Sequence, residues 1–96
     1  SKSPFSNEAE EAVQNYTKAL EYVPNSANTY FRRAQLNKKL NTKAAVDDLK
    51  RAIDLAPKRY QYWQALGEIM TLSDNPAERE VGFEFLAKAT QLKMNK

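Results

Sequence analysis

Histidine and cysteine are absent from this chain of 96 residues, and glycine occurs only twice. Without these side chains the protein lacks the Ser-His-Asp and Cys-His nucleophilic systems, and it has no histidine or thiolate ligand for zinc, haem or an iron–sulfur cluster. A disulfide framework is excluded as well. We therefore expect a protein that is not an enzyme, with no catalytic residues, no metal site and no cofactor.

Long apolar runs are also missing. No stretch of about 18 apolar residues occurs, and the opening segment Ser1-Lys2-Ser3-Pro4-Phe5 lacks the hydrophobic core of a signal peptide. We expect no membrane insertion in this segment. The lack of cysteine favours a cytoplasmic location, although it is also compatible with a secreted or periplasmic one.

The residues that are present indicate one all-α domain. Hydrophobic residues make up 42% and charged residues 28% of the chain, as in ordinary soluble globular proteins. Ala, Leu, Lys, Glu and Gln, which favour helices, outnumber the β-branched residues. The length allows a single domain at most.

Three segments align without a gap: AVQNYTKALEYVP from Ala12, AVDDLKRAIDLAP from Ala45 and GFEFLAKATQLKM from Gly82. Each has a small residue first, a large apolar residue four positions later, and Ala three positions after that. This spacing places the three positions on one helix face, where small side chains let a second helix approach closely. Pro24 and Pro57 end the first two copies.

Two further segments match each other between these copies. Tyr30 precedes Arg33-Ala34 at the same spacing at which Trp63 precedes Leu66-Gly67. W-x2-L-G followed by A-x3-F-x2-A and P, at a period near 34 residues, is the tetratricopeptide repeat (TPR) pattern. The chain resembles that family from about residue 8 to residue 93. The resemblance implies an all-α, right-handed α-α superhelix of helix hairpins with about five helices.

Start and stop signals predict helices over about 8–22, 27–40, 43–55, 59–72 and 77–93. Ser6 or Asn7 is the expected N-cap of the first helix, with Glu8, Glu10 and Glu11 in its first turn. In family terms, residues 8–26 form a half repeat and residues 27–58 and 59–93 form complete repeats. Residues 1–7 are then a linker or the remnant of an upstream repeat, and residues 94–96 are a tail.

The repeat spacing is irregular at one turn. Ala12 and Ala45 are 33 residues apart, whereas Ala45 and Gly82 are 37 apart. The extra residues fall in a turn predicted at 72–77, whose Ser, Asp, Asn and Pro content is typical of a surface insertion. The half repeat at the start should also leave an apolar patch on helix 1, which Phe5 could cover.

The resemblance implies a binding groove. In TPR proteins the first helices of successive repeats line a concave surface that binds an extended peptide or a helix of a partner protein. The groove positions here are Asn28, Phe31, Arg32, Gln35, Lys38, Lys39, Gln61, Gln64, Glu68 and Thr71. Phe31 has two interpretations: it anchors a ligand side chain in the groove, or it packs on the neighbouring helix pair.

Some TPR domains grip a C-terminal carboxylate with lysine, asparagine and arginine on three consecutive first helices. Here Arg32, Gln61 and Ala65 occupy positions of that clamp, so we do not expect it, although Arg32 could bind a carboxylate bidentately in another geometry. Arg33 stands where leucine is usual, and the resemblance implies an ion pair with Asp48. Trp63, Leu66 and Gly67 are expected in the core.

The expected function is a non-catalytic scaffold that binds another protein. One alternative is a structural segment that self-associates through helix 1 or helix 5. A third is an RNA-binding helical repeat, because residues 58–63 mix basic and aromatic side chains. A net charge of only +3 and aromatics divided between helix faces argue against a nucleic-acid partner.

Overall fold

The computed structural model describes the backbone of residues 4–95 and the side chains of residues 8–95. Within that range the chain forms five α-helices: α1 (Pro4–Tyr22), α2 (Ala27–Leu40), α3 (Thr42–Leu55), α4 (Tyr60–Met70) and α5 (Pro76–Met94). Consecutive helices pack on each other, with the pairs α2–α3 and α4–α5 forming the most extensive hairpins. The fold is the predicted all-α superhelix of helix hairpins.

Polar side chains mark the helix starts. Ser26 Oγ accepts a hydrogen bond from Thr29 N at 3.2 Å at the start of α2. Asn41 Oδ1 accepts from Ala44 N at 3.1 Å, and this one residue both ends α2 and caps α3. Such caps satisfy backbone N–H groups that have no partner within the helix. The chain therefore reverses direction between α2 and α3 across a single residue.

The start of α1 was predicted wrongly. The helix begins at Pro4, four residues earlier than expected, so residues 6 and 7 lie inside it and neither is the N-cap. No acidic residue lies in its first turn, contrary to the placement expected for Glu8, Glu10 and Glu11. Proline is favoured at the first helical position because its missing N–H is not needed there. The covering role suggested for Phe5 lies outside the described side chains.

Other helix ends differ from the prediction by one or two residues. α4 ends at Met70, two residues early, and α5 begins at Pro76, which had been assigned to the preceding turn. Pro76 is again a first-turn proline, preceded by the N-cap Asn75. α5 also includes Met94, the first residue of the expected tail. The turn between α4 and α5 thus comprises residues 71–75.

The core lies between α2, α3 and α4. Ala34, Ala45, Leu49 and Leu66 are at most 1% exposed and contact one another. Around them pack partly buried apolar side chains: Phe31, Val46, Ile53, Ala65, Ile69, Met70 and Phe85. Small residues at the centre of the core allow the helices to approach closely, as the repeated pattern predicted.

The helices of the α4–α5 hairpin meet at glycine residues, whereas those of the α2–α3 hairpin meet at alanine residues. Gly67 and Gly82 occupy the positions that Ala34 and Ala45 occupy in α2 and α3. A Cβ atom on Gly82 would lie 2.8 Å from Thr71 N and 3.0 Å from Gly67 O. Since backbone atoms cannot move away easily, α4 and α5 cross at a distance that admits no side chain at this point.

The three in-register copies differ in burial. Ala45, Leu49 and Ala52 of α3 are 0–1% exposed, because α2 covers them. The equivalent positions of α1 are less covered: Ala12 and Tyr16 are partly buried and Ala19 is exposed. Among residues 4–95, α1 therefore lacks a hairpin partner of the kind that α3 and α5 have. No helix in this range is long and apolar enough to cross a membrane.

Candidate functional site

Arg33 joins three helices. Its Nε and Nη2 donate to Asp48 Oδ2 and Oδ1 of α3 at 2.8 and 2.7 Å, and its Nη1 donates to Thr17 Oγ1 of α1 at 3.0 Å. The hydrogen bond to Asp48 raises the pKa of Arg33, and burial opposes this effect. The predicted ion pair is confirmed. Because Asp48 is only 6% exposed, the pair belongs to the packing between helices.

Phe31 contacts α4. Its ring lies 5.0 Å from that of Tyr62, with an angle of 48° between the ring planes, and it packs against the core cluster. Tyr62, which is 4% exposed, was not identified from the sequence. Of the two interpretations of Phe31, the structure therefore favours packing between α2 and α4.

Trp63 connects the α3–α4 turn to α5. Its Nε1 donates to Pro57 O at 2.8 Å, and its ring meets Phe85 edge-on at 5.0 Å. Leu66 and Gly67 are buried and Trp63 is partly buried, so these three residues pack between helices as expected. Tyr60 lies beneath Lys93 Nζ at 5.2 Å. The aromatic residues of the basic segment 58–63 thus all contact other side chains.

Most of the predicted groove residues are accessible. On α2 and α4 the exposed members are Asn28, Arg32, Gln35, Lys38, Lys39, Gln61 and Glu68, whereas Phe31, Gln64 and Thr71 are partly buried. Gln64 Nε2 donates to Glu68 Oε2 at 3.3 Å, and Thr71 Oγ1 donates to Glu68 O at 2.9 Å. The hydrogen bond from Gln64 thereby orients the Glu68 carboxylate on α4.

Three of these residues share one small cavity between α2 and α4. Gln35 and Lys38 of α2 and Glu68 of α4 surround about 80 Å³ of space whose floor is formed by Ala34, Leu49, Ala65 and Ile69. We call this the central cavity. Its lining combines apolar side chains with one positive and one negative side chain.

The other predicted residues are distributed differently. Gln64 lines a separate cavity of about 150 Å³ between α4 and α5. Lys38 and Lys39 line a larger cavity of about 680 Å³. Asn28, Phe31, Arg32 and Gln61 line none of these three cavities. The structure therefore brings together only part of the predicted set.

The larger cavity contains residues that were not identified from the sequence. Its lining is Lys38, Lys39, Thr42, Lys43, Val46, Lys50, Ile69, Met70, Leu72, Ser73 and Glu78. We call this the lysine-rimmed cavity. One signal was available, because Lys43, Val46 and Lys50 recur at i, i+3 and i+7 and must share a helix face. The approach of the 71–75 turn to that face was not predictable from spacing.

Comparison with known proteins agrees with the fold. A family model described as a TPR repeat matches residues 6–41, which contain most of α1 and all of α2. No curated protein matches the chain. The matched region includes the first aligned copy, and the same pattern continues through α3 and α5. The match over residues 6–41 and the five-helix fold support a helical repeat similar to those of the tetratricopeptide repeat family.

Proposed function

We propose that this domain is a non-catalytic scaffold that binds a peptide or helical segment of a partner protein in the groove between α2 and α4. The observation that supports the proposal is the central cavity, which Gln35 and Lys38 of α2 and Glu68 of α4 line together with apolar side chains. Repeats of the TPR family generally act as interaction scaffolds, which agrees with this assignment.

The chemistry of the two helices suits a polypeptide ligand. Asn28 and Gln35 on α2, and Gln61 and Gln64 on α4, carry amides that both donate and accept hydrogen bonds. A peptide backbone presents N–H and C=O groups in alternation, so an amide-rich surface can pair with both. Lys38 and Glu68 would orient the ligand through its charged groups.

A capture experiment with matched variants tests the proposal. The immobilised wild-type chain and Gln35→Ala/Gln61→Ala are incubated with cell extract, and the affinity of each captured protein is then measured directly. We expect the double variant to bind about tenfold more weakly, as for the loss of two interface hydrogen bonds. The control Gln14→Ala/Gln91→Ala removes two exposed glutamines from α1 and α5. Equal loss in both variants, or no loss in either, would contradict a groove between α2 and α4.

A second candidate is self-association through α1 or α5. It is supported by exposed apolar side chains on these helices, namely Tyr22 at 83%, Phe83 at 61% and Met94 at 78%, and by the uncovered Ala19. Sedimentation velocity over a range of concentrations tests it, with Tyr22→Ser and Phe83→Ser as variants. A sedimentation coefficient that does not change with concentration would rule it out.

A further inference from the structure

The lysine-rimmed cavity lies between the two hairpins, at the edge where α2 turns into α3 and α4 into α5. Its volume is about 680 Å³, within the range of about 300–1,000 Å³ typical of ligand sites. Val46, Ile69, Met70 and Leu72 provide its apolar surface. It adjoins the central cavity, because Lys38 and Ile69 line both.

Four lysines surround the opening. Lys38 and Lys39 come from the end of α2, and Lys43 and Lys50 from α3, and all four are exposed. Within residues 8–95, none of them lies within 4.0 Å of a carboxylate oxygen. Glu78 is the one acidic residue of the lining. The lining therefore carries four positive charges and one negative charge, and none of the four lysines forms an ion pair within the described residues.

Helix stability explains only part of this arrangement. Lys38 and Lys39 lie in the last turn of α2, where the helix dipole favours cations. Lys43 lies in the first turn of α3, where the dipole favours the opposite charge. Leu72 is 81% exposed in a turn, so it contributes little to the core. A cation and a large apolar side chain, each placed unfavourably for folding, thus lie at the same cavity.

The wall that carries Leu72 is already ordered. Ser73 Oγ donates to Glu78 Oε1 at 2.6 Å and accepts from Asn75 N at 3.1 Å, while Arg79 Nη1 donates to Ser73 O at 2.8 Å. This turn of residues 71–75 replaces the single residue that joins α2 to α3. The extra residues therefore form one side of a preformed cavity, which lowers the entropy cost of binding.

We propose that the lysine-rimmed cavity anchors an acidic, hydrophobic peptide segment of the partner protein. A large apolar side chain of the segment enters the cavity over Val46, Ile69 and Leu72, and flanking carboxylates contact the lysines. Charge complementarity identifies the ligand as acidic. The lining contains no aromatic residue, so nucleobases would have nothing on which to stack. The inference rests on the proposed function, since it names the chemistry of the groove's ligand.

NMR titration of the 15N-labelled chain tests the proposal. The probe is an acetylated synthetic peptide that repeats Glu-Glu-Leu, compared with versions in which every Leu is Ser or every Glu is Gln. We expect shifts in the amides of residues 42–50, 72–75, 77 and 78, and about tenfold weaker binding by both altered peptides. No shift in these residues at millimolar peptide would overturn the proposal.

Charge variants separate a specific site from general attraction. Lys43→Glu/Lys50→Glu should weaken binding of the Glu-Glu-Leu peptide by about tenfold. Lys18→Glu/Lys58→Glu changes the net charge equally at two exposed lysines outside the cavity and should leave binding nearly unchanged. Equal loss in both double variants would show attraction by net charge alone and overturn the proposal.

Apolar variants test the anchor in the same way. Leu72→Ser should weaken binding about fivefold, because the ligand loses apolar contact. Val23→Ser removes an exposed valine that directly follows α1, outside the cavity lining, and should have no effect. If the leucine variant binds as tightly as the valine variant, no apolar side chain enters the cavity.

The pattern of shifts distinguishes this proposal from the groove itself. Shifts confined to residues 61 and 64 would place the peptide in the groove between α2 and α4. This result would overturn the proposal that the lysine-rimmed cavity anchors the peptide. Shifts at the cavity, with full affinity retained in Gln35→Ala/Gln61→Ala, would support the anchor and contradict the groove. Binding to phosphatidylserine vesicles in a flotation assay, without any peptide binding, would overturn the anchor in favour of a membrane surface.

Discussion

At the scale of single residues, Arg33 and Asp48 place a charged pair among packed helices. Removing two charges from water is costly, and the paired hydrogen bonds offset much of that cost. Replacing both partners with apolar residues of similar volume is therefore often tolerated, whereas removing one partner is not. The additional bond to Thr17 extends the pair to α1, so Arg33 sets how three helices meet.

Arg33→Met should lower the free energy of unfolding by about 2 kcal/mol, because Asp48 then keeps a largely buried charge without its partner. Urea denaturation followed by circular dichroism measures the change. Affinity for the partner protein should stay the same, since the pair acts within the fold.

The double variant Arg33→Met/Asp48→Leu provides the control and should recover part of the lost stability. A double variant less stable than the single one would show that the buried carboxylate is not the cause. A large loss of partner affinity in a folded Arg33→Met protein would assign Arg33 to binding instead.

At the scale of helices, two hairpins built on one pattern close differently. α2 and α3 meet at Ala34 and Ala45, whereas α4 and α5 meet at Gly67 and Gly82. Glycine disfavours a helix by about 1 kcal/mol relative to alanine. The close approach of backbone to backbone at the second crossing provides a reason for two glycines inside helices.

Gly82→Ala should destabilise the protein by about 1–3 kcal/mol even though alanine favours helices. The new Cβ would lie 2.8 Å from Thr71 N and 3.0 Å from Met70 C, which are backbone atoms of α4 and its C-cap. Thermal and urea denaturation measure the effect. Glu84→Ala, at an exposed site on the same helix, should change stability by less than about 0.5 kcal/mol.

A gain in stability of about 1 kcal/mol for Gly82→Ala would contradict this account, because helix propensity alone predicts such a gain. Such a gain would mean that α5 can shift away from α4 without a loss of stability. The turn that joins these helices would then be less rigid than its hydrogen bonds indicate.

At the scale of the whole molecule, each helix packs mainly on its neighbours in the chain. Stability in such repeats is close to a sum of single-repeat terms and contacts between neighbours. Among the described residues, α1 packs extensively only on α2 and leaves Ala19 exposed, whereas α2, α3 and α4 each pack on two helices. We expect stability to vary along the chain accordingly.

Hydrogen exchange should show the lowest protection in α1 and the highest in α2 and α3. The reason is that few buried contacts oppose local opening of α1, whereas the core cluster lies on α2, α3 and α4. Hydrogen exchange should be measured at concentrations at which the chain sediments as a monomer, because an associated copy would protect α1. Equal protection of α1 and α3 would contradict the view that local stability is set by the contacts of each helix with its neighbours.

The sequence predicted the fold well and the cavities poorly. α2 begins and ends where its signals place it, because Ser26 and Asn41 are strong local caps. The start of α1 and both ends of the 71–75 turn were missed, and Pro76 was assigned to the turn although it is the first residue of α5. The positions of the groove residues on the helices were implied by the resemblance to TPR repeats. The spacing of residues in the sequence, however, gave no distance between α2 and α4.

The TPR pattern and the five helices follow from the sequence, because helix periodicity and repeat register are local or recur at a fixed interval. The pairing of Arg33 with Asp48 was expected from the resemblance to TPR repeats. The lysine-rimmed cavity was decided by the tertiary structure. Its residues come from α2, α3, α4, the 71–75 turn and α5, and only the packing of two hairpins brings Lys43 and Leu72 to one opening. Contacts between residues distant in sequence depend on helix crossing and turn length, which no local pattern contains.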